Sequence, residues 1–141
     1  MSKPSVNILI FTYNQENLVK ETIDSVINQS YENITKIIIA DDGSTDRTPE
    51  NLKEYESNNP SIVLVLAKKN KGIAHNMNRA LKRADGDYVS FLDGDDMMHR
   101  QKIEKQVKYL NENPDLVACA HDMNVFDSCK GESLGKFSEV I

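Results

Sequence analysis

The sequence contains only two cysteines in 141 residues, Cys119 and Cys129, which is too few for a disulfide framework. No second cysteine pair and no suitably spaced histidines accompany them, so a cysteine-based metal module is excluded. We expect both thiols to be free in a reducing compartment, and therefore expect the protein to be cytoplasmic. There is no signal-peptide pattern, and no apolar stretch approaches the ~20 residues that span a membrane. We therefore expect no membrane span in this chain, which leaves open that a longer parent protein associates with the cytoplasmic face of a membrane.

Phosphate-binding glycine loops are also absent. No GxGxxG follows the first apolar run, and GxxxxGK[ST] occurs nowhere, which argues against a dinucleotide dehydrogenase and a P-loop NTPase. The net charge of −5 gives no indication of a nucleic-acid binder. The length fits one domain, and we predict a single domain over residues 1–141 with an irregular tail from about residue 127.

What the sequence does contain is an alternation of short apolar runs and amphipathic helical patterns. Helical patterns cover about residues 17–29, 48–57, 73–84 and 100–113. Buried strands alternating with such helices predict an α/β fold, a Rossmann-like wound, mostly parallel sheet with helices on both faces. The predicted strands are Val6–Phe11, Lys36–Ala40, Ile62–Leu66, Tyr88–Leu92 and Leu116–Ala120.

Polar clusters follow three of these strands. In wound sheets, ligands bind at the edge where the carboxyl ends of the strands lie, here called the rim. The sequence therefore predicts a ligand site at the rim that is acidic and contains one aromatic ring. Its members are Thr12-Tyr13-Asn14, Asp41-Asp42 and Asp93-Gly94-Asp95-Asp96.

The last of these clusters places three carboxylates within four residues, with Gly94 allowing a tight turn. Such acids repel one another unless water or a cation separates their charges. Asp93 and Asp95 offer the hard oxygen ligands that suit Mg²⁺ or Mn²⁺, and such a metal would bridge to a diphosphate. The alternative is a solvated acidic turn that favours the start of the following helix through the helix dipole.

The other two clusters suggest a nucleobase. Tyr13 is placed to stack on a base, although a strand-end tyrosine also packs structurally. Asp42 is placed to accept a hydrogen bond from a ring N–H of a pyrimidine. For Asp41 both a structural and a functional role remain open. Glu16 either contacts the nucleoside edge or simply begins the first helix.

Taken together, Phe11-Thr12-Tyr13-Asn14, Asp41 to Asp46, Asn70-Lys71-Gly72 and Asp93 to Asp96 resemble the family 2 glycosyltransferases. The resemblance runs in order from about Val6 to Asp122. It implies the GT-A fold, an inverting mechanism, Mn²⁺ or Mg²⁺ and a nucleotide-sugar donor, commonly UDP-linked. It also implies a glycan, lipid or other acceptor hydroxyl, and a place in polysaccharide biosynthesis for the cell envelope.

The resemblance also assigns roles to individual residues. Asp95 would be the main metal ligand, with Asp93 as a second ligand that also lies toward the donor ribose or sugar. Met77 stands where the family often has an arginine, so no arginine contact to the donor is expected from that position. Donor nucleotide contacts are implied for Thr12, Tyr13, Glu16, Asp42, Asn78 and Asp93.

The catalytic base is the part that the sequence does not provide. An inverting transfer needs an Asp or Glu that deprotonates the acceptor, and we expect this residue beyond Ile141. We therefore expect a donor-binding half that turns over poorly or not at all. Two alternatives remain: a sugar-phosphate nucleotidyltransferase, although Thr12 to Glu16 lack the glycine-rich basic loop of that class, and a non-catalytic nucleotide-sugar-binding module.

Overall fold

The computed structural model describes residues 3–140, except for the side chains of Glu139 and Val140. The chain divides into two compact units, one ending at Val107 and the other beginning at Lys108. The single domain predicted over residues 1–141 stays a prediction. The longest described helices have 11 residues, and no helix within residues 3–140 is long and apolar enough to cross a membrane.

A four-stranded parallel sheet in the order β3-β2-β1-β4 forms the centre of the first unit. The predicted α/β fold with a mostly parallel sheet is therefore confirmed. Helix and strand bounds lie within a few residues of the predicted ones. The elements are β1 (Val6–Thr12), α1 (Val19–Ile27), β2 (Ile34–Asp41), α2 (Thr48–Asn58), β3 (Ile62–Leu66), α3 (Ile73–Leu81), β4 (Tyr88–Asp93) and α4 (Lys102–Glu112), the last of which continues into the second unit.

Strand β1 is buried along its whole length because its alternating side chains enter two apolar layers. Ile8 and Ile10 belong to one cluster, which contains residues of α1, α2 and α4. Leu9 and Phe11 belong to the other, with Ala80 of α3. Helices therefore cover both faces of the sheet, and the rim is left as the polar edge.

The prediction of a fifth strand at Leu116–Ala120 is wrong. The structure has no strand there, and Val117 is 99% exposed. Apolar and β-branched residues form a strand only where a neighbouring strand and a buried face complete it. Within residues 3–140, no strand pairs with this segment.

The tail also differs from the predicted irregular chain. Asp127 starts a tight turn: its side chain accepts the N–H groups of Cys129 and Lys130 at 2.9 and 3.2 Å, and its carbonyl accepts that of Gly131 at 2.7 Å. Gly131 has φ 68°, which glycine adopts without strain. The turn joins two antiparallel strands that precede a short helix, namely β5 (Asn124–Asp127), β6 (Glu132–Lys136) and α5 (Phe137–Val140).

Candidate functional site

The strand register brings the predicted polar clusters to one edge of the sheet. Thr12 lies opposite Asp41 on the neighbouring strand, and Phe11 lies opposite Asp93. The N–H of Gly94 donates to the carbonyl of Phe11 at 2.8 Å, which ties the acidic turn to the end of β1. The rim expected from the sequence is therefore formed by the ends of β1, β2 and β4.

Asp41, whose role the sequence left open, anchors its own loop. Its side chain is 1% exposed. One carboxylate oxygen accepts the N–H groups of Gly43 and Ser44 at 3.0 and 2.9 Å. The other accepts the hydroxyls of Ser44 and Thr12, the latter at 3.4 Å. These four bonds use the acceptor capacity of the carboxylate, so both Asp41 and the Thr12 hydroxyl serve the structure of the rim.

Asp42 is held just as firmly but keeps one acceptor position. The N–H of Lys71 lies 3.0 Å from each carboxylate oxygen, and the N–H of Gly72 lies 2.7 Å from Oδ2. Oδ2 is thus filled, whereas Oδ1 retains one lone pair. Gly43 permits this loop contact, because a Cβ there would lie 2.7 Å from the carbonyl carbon of Lys69. The turn after β2 and the loop after β3 therefore pack backbone against backbone.

The loop after β1 is bonded to the same turn. Asn14 has φ 53°; its N–H donates to the Ser44 hydroxyl at 2.8 Å and its Oδ1 accepts the N–H of Thr45 at 2.8 Å. Glu16 accepts the N–H of Arg47, at the start of α2, at 2.7 Å. The carboxylate of Glu16 thus supports the start of α2, which differs from the role at the start of the first helix considered from the sequence.

Asp46 joins these two loops through both of its carboxylate oxygens. It accepts the N–H of Thr48 at 2.9 Å and the N–H of Glu16 at 3.1 Å. Burial acts to raise the pKa of Asp46, but the hydrogen bonds from Thr48 and Glu16 outweigh it and hold the pKa below the ordinary value. The ionised carboxylate is therefore part of the folded loop.

Tyr13 and Asn78 are exposed candidates for contact with the donor. The Tyr13 side chain is 44% exposed and follows the end of β1, so its ring is available for stacking. Asn78 lies on the exposed side of α3. Within the described chain, no hydrogen bond joins its side chain to another predicted site residue.

Three exposed carboxylates lie at the end of β4 around a buried Gly94: Asp93 is the last residue of the strand, and Asp95 and Asp96 follow it. The N–H of Asp96 donates to the carbonyl of Asp93 at 3.1 Å, and the Thr22 hydroxyl donates to the carbonyl of Gly94 at 2.9 Å. Loss of solvation in the turn, followed by the charges of Asp95 and Asp93, raises the pKa of Asp96. The repulsion inferred from the sequence is therefore present.

Gly94 is required for space rather than for an unusual backbone conformation, since its φ is not in the left-handed region. A Cβ at this position would lie 2.8 Å from the carbonyl oxygen of Phe11 and 3.0 Å from Cβ of Thr12. Gln15 Oε1 would lie closer still. Among the described side chains, this oxygen is the one buried polar atom without a hydrogen-bond partner.

The acidic turn can supply only part of the ligand set of a divalent cation. Within residues 3–140, no group of three or more His, Cys, Asp or Glu side chains is arranged to hold a metal. Asp93 and Asp95 would supply two carboxylates, which is the usual protein share where Mg²⁺ also binds substrate phosphates and water. Their oxygen chemistry fits Mg²⁺ or Mn²⁺, and their role as metal ligands stays a prediction.

Two side chains of α3 that were not predicted as site residues, Asn76 and Arg79, reach the ends of β2 and β3. Asn76 is 2% exposed and Arg79 is half-buried, and both donate to strand carbonyls. Met77 packs instead against the apolar cluster of Leu9 and Phe11. The sequence signal for this buried polar contact was a polar residue at position 76, on the same helix face as the buried Ala80.

Comparisons with known proteins agree on one family. The sequence model described as Glycosyl transferase family 2 matches residues 7–137. The putative teichuronic acid biosynthesis glycosyltransferase TuaG of Bacillus subtilis is 40% identical over 110 residues, which cover 78% of this chain and 43% of TuaG. The putative glycosyltransferase EpsE of the same organism is 37% identical over 127 residues, or 89% and 45%. The chain thus spans less than half the length of these relatives.

Solved structures agree with the fold. The mannosyltransferase PcManGT from Pyrobaculum calidifontis, in complex with GDP-Man and Mn²⁺, has a TM-score of 0.72 and 30% identity, covering 78% of this chain and 33% of its own. TarS of S. aureus, in complex with UDP-GlcNAc, has a TM-score of 0.71 and 25% identity, covering 78% and 32%. The fold of the first unit, with its parallel sheet, is therefore that of known glycosyltransferases.

Proposed function

The chain belongs to glycosyl transferase family 2, and we propose that it is the donor-binding part of a metal-dependent, inverting enzyme that uses UDP-sugars. The main support is the arrangement at the rim. The anchored Asp42 and the exposed Tyr13 follow β2 and β1, and the carboxylates of Asp93 and Asp95 follow β4, which pairs with the other side of β1. A nucleoside diphosphate has a base at one end and an anionic diphosphate at the other; the rim offers a partner for the base directly and one for the diphosphate through a bridging metal.

The choice of uracil rests on the acceptor capacity of Asp42. Its Oδ2 already accepts two N–H groups from Lys71 and Gly72, and its Oδ1 accepts one. One further donor can therefore bind. The ring N–H of uracil is a single donor between two carbonyl groups, whereas guanine presents two adjacent donors that match a carboxylate with both oxygens open. Asp42 thus favours uracil, with Tyr13 stacking on the ring.

The diphosphate end depends on the acidic turn. Bound at Asp95 and Asp93, Mn²⁺ or Mg²⁺ would supply positive charge that stabilises the leaving diphosphate. Gly94 keeps the turn against the end of β1, and Asp93 is the last residue of β4. From there Asp93 would lie toward the donor ribose or sugar. Asn78 and Glu16 complete the proposed donor contacts from α3 and from the loop after β1. Thr12 contributes indirectly through Asp41.

Sugar transfer with inversion also requires a base that deprotonates the acceptor hydroxyl during in-line attack. We assign that role to none of the described residues. The relatives are more than twice as long as the part of them that this chain matches, and we place the base and the acceptor pocket in their further length. This chain on its own is accordingly expected to bind donor without efficient transfer.

The relatives suggest the setting of the reaction. TuaG is named for teichuronic acid biosynthesis, and we propose that this chain likewise serves cell-envelope polysaccharide synthesis. TarS was solved with UDP-GlcNAc, whereas PcManGT was solved with GDP-Man, so the base preference has to be tested directly. We propose a cytoplasmic location, which fits a sequence with only two cysteines and no disulfide framework.

Calorimetric titration of the 141-residue chain with UDP, with and without Mn²⁺, tests this proposal. We expect Mn²⁺ to tighten UDP binding by about tenfold or more, equivalent to about 1.4 kcal/mol. GDP and CDP should bind more weakly than UDP under the same conditions. Binding of UDP that is indifferent to metal, or no binding, would contradict the proposal.

A second measurement separates transfer from binding alone. Incubation of the full-length parent protein with a panel of UDP-sugars should release UDP if it is a glycosyltransferase. Activity that depends on pyrophosphate would instead indicate a nucleotidyltransferase. Retained UDP binding with no release from any sugar would indicate a non-catalytic binding module.

A further inference from the structure

We infer that Arg79, together with Asn76, is a positioning residue that holds the peptide between Asp41 and Asp42 and so directs the Asp42 carboxylate toward the nucleobase. The inference rests on the function proposed for the rim. It concerns two side chains of α3 for which no ligand contact is proposed.

Both side chains extend from one face of α3 to the ends of two strands. Asn76 donates from Nδ2 to the carbonyl of Ala40 at 2.7 Å. Arg79 donates from Nη1 to the carbonyl of Asp41 at 3.3 Å and to Oδ1 of Asn76 at 3.1 Å. It also donates from Nη2 to the carbonyl of Val65 at 2.9 Å. One guanidinium group therefore connects α3, the end of β2 and the end of β3.

The peptide that Arg79 contacts is fixed on both of its polar sides. The carbonyl of Asp41 also accepts the N–H of Ala67 at 2.9 Å, and the N–H of Asp42 donates to the carbonyl of Thr12 at 3.0 Å. This peptide sets the direction in which the Asp42 side chain leaves the backbone. A small rotation there would move the carboxylate, whose single open acceptor position is directional.

Arg79 also links the two ends of the loop between β3 and α3. It holds Val65, one residue before that strand ends, and its own helix begins directly after Gly72. The N–H groups of Lys71 and Gly72 then reach the Asp42 carboxylate. The backbone and the side chain of Asp42 are thus fixed by the two ends of the same loop and helix.

Arginine is suited to this position because its planar group places several donors in fixed directions. A lysine offers one charged nitrogen and cannot reach three separate oxygens with the same geometry. The family often has an arginine at the position of Met77, and from this departure we expected no arginine contact to the donor there. Here Met77 packs against the apolar cluster of Leu9 and Phe11. Arg79, two residues later, supports the donor site through its bond to the carbonyl of Asp41.

Amide hydrogen exchange of Arg79→Lys, measured by NMR, tests the geometry without any ligand. We expect protection of the Asp42 and Gly72 amides to fall on the order of tenfold, while amides of β1 stay unchanged. Arg83→Lys, at an exposed position after α3, is the matched control and should change neither. A uniform loss of protection across the sheet, or no loss at Gly72, would overturn the inference.

Nucleotide selectivity tests the consequence. Cytosine has an acceptor where uracil has its ring N–H, so the ratio of UDP to CDP affinity reports the direction of the Asp42 carboxylate. Arg79→Lys should lower this ratio severalfold, as should Asp42→Asn, and the double variant should lower it little further because both act through the same contact. An unchanged ratio in Arg79→Lys would argue for a purely structural role.

The two measurements separate this inference from the proposed function. If the unmodified chain shows no preference for UDP, the proposed function fails, and the exchange at Gly72 still decides whether Arg79 positions Asp42. If the chain prefers UDP and Asp42→Asn abolishes the preference while Arg79→Lys does not, the proposed function stands and the inference fails.

Discussion

The Asp42 carboxylate accepts the backbone N–H of Gly72 at 2.7 Å, a bond between residues thirty positions apart. Through it, the turn after β2 is joined to the residue directly before α3. An aspartate that is 3% exposed and bonded on both oxygens would ordinarily be regarded as purely structural. In the proposed function, the remaining acceptor position on Oδ1 would bind the ligand, and the fixed geometry would limit that ligand to one donor.

Asp95→Asn should weaken Mn²⁺-dependent UDP binding by about tenfold or more, because it removes a charged oxygen ligand from the acidic turn. Binding measured without metal should change little. Calorimetric titration in the two conditions gives both values.

Glu56→Gln is the matched control for this variant. Glu56 lies on α2, and its Oε1 accepts the N–H of Leu64 at 3.3 Å, an acceptor role that the amide oxygen of glutamine retains. UDP affinity should stay within about twofold of the unmodified chain. Equal losses for Asp95→Asn and Glu56→Gln would mean that the acidic turn is not the metal site.

Gly94→Ala should reduce the free energy of unfolding by roughly 1–3 kcal/mol, as expected for a group forced into a filled space. The added Cβ would contact the carbonyl oxygen of Phe11 at 2.8 Å and press on the Gln15 amide. Urea unfolding measures the loss. Combining it with Gln15→Ala should recover only part of the stability, because the backbone contact with Phe11 remains. Full recovery would show that the clash with Gln15 is the sole reason why position 94 needs glycine.

The pH dependence of folding should show the contribution of Asp46. Its pKa is lowered in the folded chain, so its ionised form stabilises the fold above the ordinary aspartate pKa of about 4, and this stabilisation is lost as the pH falls through the lowered value. Asp46→Asn replaces one of two acceptor oxygens and should cost on the order of 1 kcal/mol at neutral pH. The difference from the unmodified chain should shrink on acidification.

The exposed Asp115 provides the control for this experiment, since Asp115→Asn removes one carboxylate outside the loops of the rim. Its free energy of unfolding should follow that of the unmodified chain at each pH. A cost for Asp46→Asn that is the same at acid and neutral pH would mean that the ionised state of Asp46 does not matter for the fold.

The rim could be predicted from the sequence because each feature depends on nearby residues. A buried strand that ends in polar residues, such as Val6–Thr12, places them at the sheet edge whatever the rest of the chain does. Asp41 and Asp42 could not be told apart in the same way. They are adjacent and precede the same glycine, but their partners differ, and the N–H groups that hold Asp42 come from Lys71 and Gly72.

The apolar segment Leu116–Ala120 illustrates the opposite case. Its composition favours a strand, but a strand requires a partner that local sequence does not identify. The structural role of Arg79 could not be predicted from the sequence for a related reason. Its position in a helix pattern suggests an exposed cation, and only the fold reveals that it ends at the carbonyls of Asp41 and Val65.

The absence of a strand at Leu116–Ala120 can be tested by substituting two valines, one inside and one outside this segment. Val117 is 99% exposed outside any strand, whereas Val107 is 5% exposed within the main apolar cluster. Val117→Ser should change the free energy of unfolding by less than about 0.5 kcal/mol, as for other surface substitutions. Val107→Ser removes buried methyl groups and buries a hydroxyl, so it should cost at least about 2 kcal/mol. Urea unfolding of both variants gives the comparison. A cost for Val117→Ser close to that for Val107→Ser would mean that the segment is buried in solution and that the strand predicted there does form.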